Sequence, residues 1–203
     1  MECQIHGTAD DVTRAAMRRV QANLFSAVSQ RGRASLGLKW GEDVAALVIA
    51  IVRFGGLPWD RLDVFMTEED IDGEYLKGCV ETALMHSAIN CKTQVHSWSI
   101  KGDEDRETTS RRYQEILPSR FDLVLTDLDG VLGVSSGEFR LDNEVLRQAR
   151  DVVVIALGEA RKSSVSLARR VAAEAGGFGL WCLDEAAAEG LEPSERARIL
   201  NRR

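Results

Sequence analysis

Cysteine, proline and long apolar runs are all scarce in this chain, and each scarcity excludes something. The 203 residues contain four cysteines. Cys3, Cys79, Cys91 and Cys182 lie far apart and form no C-x-x-C pair, so the spacing suits neither a zinc site nor a disulfide framework. A reduced, cytoplasmic protein is expected. With three prolines and no low-complexity stretch, nothing reads as a linker and no repeat is present. A single domain over residues 1–203 follows as the expectation. No apolar run approaches the roughly 20 residues of a membrane span, and the opening Met1-Glu2-Cys3-Gln4-Ile5-His6 lacks the basic and apolar regions of a signal peptide. Positive charge is also in deficit, with 26 Lys and Arg against 32 Asp and Glu and a net charge of −6. Such a field repels phosphate backbones, so neither nucleic acid nor a membrane is an expected partner.

What is present suits a globular domain with a full core: 44% of residues are hydrophobic and 29% charged. Thr8-Ala9-Asp10-Asp11 has the form of a capping box with Asp in place of Glu. Val12, Ala16, Val20, Leu24 and Val28 then recur every fourth residue, predicting a helix that stops near Gly32. A short strand is expected over Ala34–Leu38 and a buried helix over Glu42–Phe54. Strand and helix then alternate: strand Leu62–Met66, helix Ile71–Ala88, strand Gln94–Ile100, helix Asp103–Leu117. Phe121–Thr126 is a nearly continuous apolar run, the mark of a strand covered on both faces. A helix over Asn143–Arg150, a second buried strand over Val152–Leu157, a helix over Glu159–Ala175 and a strand over Leu180–Leu183 complete the pattern. Strands separated by helices of this length imply an α/β fold with a doubly wound, mostly parallel sheet flanked by helices. Ligands in such sheets lie beyond the strand C-termini, which directs attention to the loops that follow the strands.

Several blocks, in order over roughly residues 10–192, resemble the 6-phosphogluconolactonase family, which shares its fold with the glucosamine-6-phosphate deaminases. Trp59-Asp60-Arg61-Leu62-Asp63-Val64-Phe65 is similar to the family's tryptophan and the strand leading to an Asp-Glu-Arg motif. Val95-His96 matches a recurring valine-histidine. Tyr113-Gln114-Glu115-Ile116-Leu117 with Phe121-Asp122-Leu123-Val124-Leu125 resembles the tyrosine-bearing helix and the strand entering the active site. Gly158-Glu159-Ala160-Arg161-Lys162 resembles a glycine-to-lysine turn, and Trp181-Cys182-Leu183-Asp184-Glu185-Ala186-Ala187-Ala188 the C-terminal strand and helix start. The resemblance implies a hydrolase scaffold of carbohydrate metabolism.

The family's chemistry is altered at three places. Its phosphate-binding turn, of Gly-Gly-Ser-Thr-Pro type, uses backbone N–H groups and hydroxyls at a helix N-terminus. Here Lys39-Trp40-Gly41-Glu42-Asp43 stands in that position. Two carboxylates suit the helix dipole and repel a phosphate dianion, and Lys39 offsets only one of them. Where the family has Asp-Glu-Arg, Thr67-Glu68-Glu69-Asp70 places Asp70 at the arginine position, exchanging an anion-binding guanidinium for an acid. At the catalytic Asp-Gly-His, Asp129-Gly130 is present but Val131 follows, and no histidine occurs after His96, so the family's proton-transfer group is absent. Of the implied pocket, Lys162 and Asp129-Gly130 remain.

Three functional expectations result. The leading one is a protein of this fold that has lost sugar-phosphate catalysis and serves as a binding or assembly module. Its partner would be a protein or a second copy, or a small molecule other than a phosphate dianion, and no cofactor or metal is expected. The second is an active sugar-phosphate hydrolase that uses a carboxylate base among Glu68, Glu69 and Asp129. The third rests on Phe121–Leu132, which also resembles the first motif of haloacid-dehalogenase-type phosphatases. There Asp127 would be the nucleophile and Asp129 the acid/base, both brought to one side by strand alternation beside Mg²⁺. A plain Asp-Gly turn after a buried strand is the simpler account of the same residues.

Overall fold

Uninterrupted or alternating apolar residues settle into parallel strands, and the four-residue periodicities into helices that cover them. The computed structural model describes residues 2–54, 56–69, 75–86, 93–132, 139–141, 144, 147–174 and 179–201. In chain order its strands are β1 (Glu2–His6), β2 (Ala34–Leu38), β3 (Leu62–Met66), β4 (Glu68–Glu69), β5 (Gln94–His96), β6 (Leu123–Asp127), β7 (Phe139–Arg140), β8 (Val152–Ala156) and β9 (Leu180–Asp184). Its helices are α1 (Ala9–Arg31), α2 (Glu42–Phe54), α3 (Tyr75–His86), α4 (Arg106–Ile116), α5 (Leu128–Leu132), α6 (Lys162–Glu174), α7 (Glu185–Ala188) and α8 (Pro193–Leu200). Short 3₁₀ turns precede β3 and α6.

Seven strands form one parallel sheet in the order β1-β9-β8-β6-β2-β3-β5, and β4 and β7 pair antiparallel beside it. From β2 the chain winds outward through β3 to β5. It then returns to β6 and winds the other way through β8 and β9. The direction therefore reverses between the neighbouring strands β2 and β6, and a crevice opens at such a switch point beyond the strand ends. The doubly wound α/β fold expected from the pattern is the one observed.

Both faces of the sheet are covered, which is why β6 and β8 are buried at every residue. Successive residues of β9 show the two sides: Trp181 stacks against Arg169 of α6 (5.3 Å), while Cys182 feels Arg19 of α1. α1 forms as its stripe predicts, with Val12, Ala16, Val20 and Leu24 fully buried. Thr8 accepts the Asp11 N–H (3.2 Å), and Gly32, at φ 81°, ends the helix in the left-handed region where glycine is unstrained.

Several local expectations are corrected. β1 was not indicated by the sequence pattern; it is an edge strand paired with β9. The strand expected over Gln94–Ile100 ends at His96, because Trp98 turns into an aromatic cluster with Tyr113 (4.1 Å) and Phe139 (5.9 Å). Asp129-Gly130 lies in the short helix α5 and not in a chain-reversing turn. Of the helix expected over 143–150, residues 144 and 147–150 are described, and Glu144 and Arg147 are helical. Residues 71–74, 87 and 88 of the expected third helix lie outside the described residues.

Candidate functional site

The crevice between β2 and β6 is built first from backbone. The Lys39 N–H donates to the Leu125 carbonyl (3.0 Å), the Thr67 N–H to the Leu38 carbonyl (2.9 Å) and the Leu141 N–H to the Thr67 carbonyl (2.8 Å). These bonds tie together the residues that follow β2, β3 and β7. Lys39 is buried there, its ammonium 3.0 Å from Glu68 and 3.5 Å from Asp127. Asp127 also accepts the Gly130 N–H (3.0 Å).

Two glycines make this approach possible. A Cβ on Gly41 would stand 2.5 Å from the Asp127 Oδ2, and one on Gly130 would stand 2.5 Å from Lys39 Cδ and 2.0 Å from Thr126 Oγ1. Neither position has room for a side chain unless the Lys39–Asp127 pair moves.

A second ionic group lies alongside. Asp43, in the first turn of α2, meets Arg161 at 3.2 Å, and the same guanidinium reaches Asp129 at 3.0 Å. Burial pushes the Asp43 carboxyl above its ordinary 3.8. Arg161 and the Leu157 backbone oppose that rise, and Asp127 adds to it. A raised carboxyl binds protons more readily in the folded chain than in the unfolded one. Its contribution to stability therefore declines as pH rises above the unfolded value of 3.8, until the folded value is passed. Across that window the slope of the urea midpoint against pH is expected to be more positive in Asp43→Asn than in the parent. Equal slopes would mean that Asp43 is solvated.

The remaining expected site residues are distributed differently. Glu69 is fully buried on the far side of β4 from the lysine. It accepts the Lys77 N–H (2.9 Å), capping the first turn of α3, and together with burial it holds the Tyr113 phenol above its usual range. Glu42 is exposed, and Trp40 is half-buried beside α2. Val131 packs in the core. Lys162, expected in the pocket, turns away from it: at the start of α6 its ammonium pairs with Glu189 (2.7 Å) near the surface. Asp70 lies outside the described residues. Asp127 and Asp129 do not project together from one strand, because β6 ends at Asp127; the first is held by Lys39 and the second by Arg161. Arg161 is the site residue that sequence reasoning passed over. It immediately precedes Lys162 in the glycine-led turn, and that turn was its only signal.

Chemically, two cations face four carboxylates among the described residues, and both cations are engaged. His96 stacks on Phe65 (4.5 Å) near Asp63, and His6 lies on β1, three strands from β6. The side chain of His86 is not described. Among the described residues no group of three or more His, Cys, Asp or Glu is arranged to hold a metal ion, and no helix is long and apolar enough to cross a membrane.

No family model and no curated protein sequence matches the chain. Solved structures do. A 6-phosphogluconolactonase from Trypanosoma brucei is 17% identical, with a TM-score of 0.70 over 94% of this chain and 98% of the other. One from Thermotoga maritima is 13% identical, with a TM-score of 0.68 over 91% of this chain and 100% of the other. A monomeric glucosamine-6-phosphate deaminase of the NagB superfamily is 14% identical, with a TM-score of 0.72 over 94% and 100%. At these identities the likeness is one of fold, and it is the fold that the sequence blocks pointed to.

Proposed function

We propose that this chain is a binding or assembly module on a 6-phosphogluconolactonase scaffold and that it does not turn over sugar phosphates. The observation that carries the reading is the burial of Lys39 between Glu68 and Asp127. Its ammonium is the cation that could greet an anion at the switch point, and it is already engaged by two carboxylates. Arg161 is engaged in the same way by Asp43 and Asp129.

A phosphate dianion entering here meets two carboxylates in excess. Near a protein surface each pair of like unit charges at 4 Å costs about 4 kcal/mol, a penalty comparable to the binding energy of a millimolar ligand. Breaking the pairs to free the cations adds the cost of stranding buried carboxylates. The described residues also bring no imidazole to the cleft to serve as proton-transfer group.

The test is direct. Hydrolysis of 6-phosphogluconolactone should proceed at the spontaneous rate with or without the protein, and 6-phosphogluconate should leave the melting temperature unchanged. A rate well above the spontaneous one, lost in Glu68→Gln or Asp129→Asn, would establish the carboxylate-base hydrolase instead. Mg²⁺-dependent phosphatase activity lost in Asp127→Asn would establish the phosphatase.

A further inference from the structure

α2 and α3 leave between them an open cavity of about 370 Å³. One wall is Ile49, Val52 and Arg53 of α2, and the other is Cys79, Thr82 and Ala83 of α3. Both sets follow the i, i+3, i+4 spacing that aligns side chains on one helix face. Trp40 lines the cavity from just ahead of α2, and Arg53 lines it from the last turn, some 16 Å further along the helix axis by the rise per residue. The described lining is mainly apolar, with the Trp40 indole and the Arg53 guanidinium among it.

Arg53 is the one charged side chain among the described lining residues, and it makes no ion pair with the described residues. Ile49 is left 39% exposed on the same wall. A concave apolar site of a few hundred Å³ with a small number of polar groups is the usual form of a small-molecule pocket. The charge selects the sign of the occupant, and the apolar walls select an alkyl or aryl body.

We propose that the α2–α3 slot binds a free amphiphilic carboxylate, with its alkyl or aryl body along Ile49, Val52 and Ala83 against Trp40 and its carboxylate on Arg53. This site shares the Trp40 turn with the ionic cluster but none of its charged side chains, and it does not depend on the function proposed above.

Trp40 supplies the readout, since Trp59, Trp98 and Trp181 are buried in the core. Decanoate, titrated below its micelle concentration, is expected to change the tryptophan emission saturably. In Trp40→Phe that change should disappear. Arg53→Gln should weaken binding about tenfold, the loss of a hydrogen bond to a charged group, and decyltrimethylammonium should bind at least as weakly. Ala83→Phe fills the slot and should abolish the response, with thermal melts confirming that each variant folds. Equal responses to decanoate and decyltrimethylammonium, or an unchanged decanoate response in Arg53→Gln, would overturn the proposal. So would no response to decanoate, or a dimer in sedimentation velocity that Ala83→Phe dissociates, since the slot would then be covered by a second copy.

Discussion

Replacing Lys39 by Met is expected to lower the free energy of unfolding by about 3–5 kcal/mol, the cost of removing one partner from a buried ion pair. Methionine keeps much of the apolar stem, so the loss reports the ammonium. What remains is two carboxylates, Glu68 and Asp127, with side chains 6% and 2% exposed and no cation between them. Asp127 still accepts the Gly130 N–H, which softens its loss but does not neutralise it. Neutralising the carboxylates should therefore recover much of the stability. Lys39→Met combined with Glu68→Gln and Asp127→Asn is expected to be more stable than Lys39→Met alone, with a coupling well outside the few tenths of a kcal/mol seen for independent sites. Urea unfolding of the parent, Lys39→Met, Glu68→Gln/Asp127→Asn and the triple variant measures it. A Lys39→Met variant within about 1 kcal/mol of the parent would place the pair in the exposed class. The cleft would then be open to solvent, and the argument against a bound dianion would fail with it.

The same residues show what the sequence discloses and what it does not. β6 and β8 were legible because burial on both faces demands runs of apolar side chains, broken in β6 at Thr126 and Asp127 where the strand reaches the cleft. α1 was legible from its stripe and its Thr8 cap. β1 was not: Glu2, Gln4 and His6 alternate with only Cys3 and Ile5, and an edge strand paired on one side tolerates that polarity. β4 and β7, of two residues each, are set by pairing with one another across roughly seventy positions of chain, and no local pattern encodes such a ladder. At the site, the excess of acids was visible in Glu42-Asp43 and Glu68-Glu69. Which of each pair faces the cleft was not, because it depends on helix phase and strand alternation. Asp43 and Glu68 turn inward, while Glu42 meets solvent and Glu69 caps α3. The choice between Arg161 and Lys162 failed for the same reason. One residue of phase in a 3₁₀ turn sends one cation into the cluster and the other to Glu189.

Trp98→Ala should cost about 3–5 kcal/mol, as large-to-small changes at buried aromatics do, and its effect should reach the cleft. Trp98 is 2% exposed and sits between Tyr113 and Phe139. Tyr113 donates its hydroxyl to the carbonyls of Met66 (2.7 Å) and His96 (3.2 Å), which ties α4 to the ends of β3 and β5. Phe139 lies in β7, opposite Glu69 of β4. The indole thus wedges the β4–β7 ladder against the sheet, and that ladder carries Glu68 to Lys39. Without it, Phe139 loses its stacked aromatic neighbour and Glu68 is free to drift from the ammonium. Native-state hydrogen exchange should show this as faster exchange of the Leu141 amide, which bonds to the Thr67 carbonyl, while the amides of β8 keep their relative protection. Because part of the Lys39 pairing is then already lost, Lys39→Met added to Trp98→Ala should cost less than it does in the parent. Strict additivity of the two changes would show that the aromatic wedge and the ionic cluster are independent, and that the cleft holds its charges without help from the ladder.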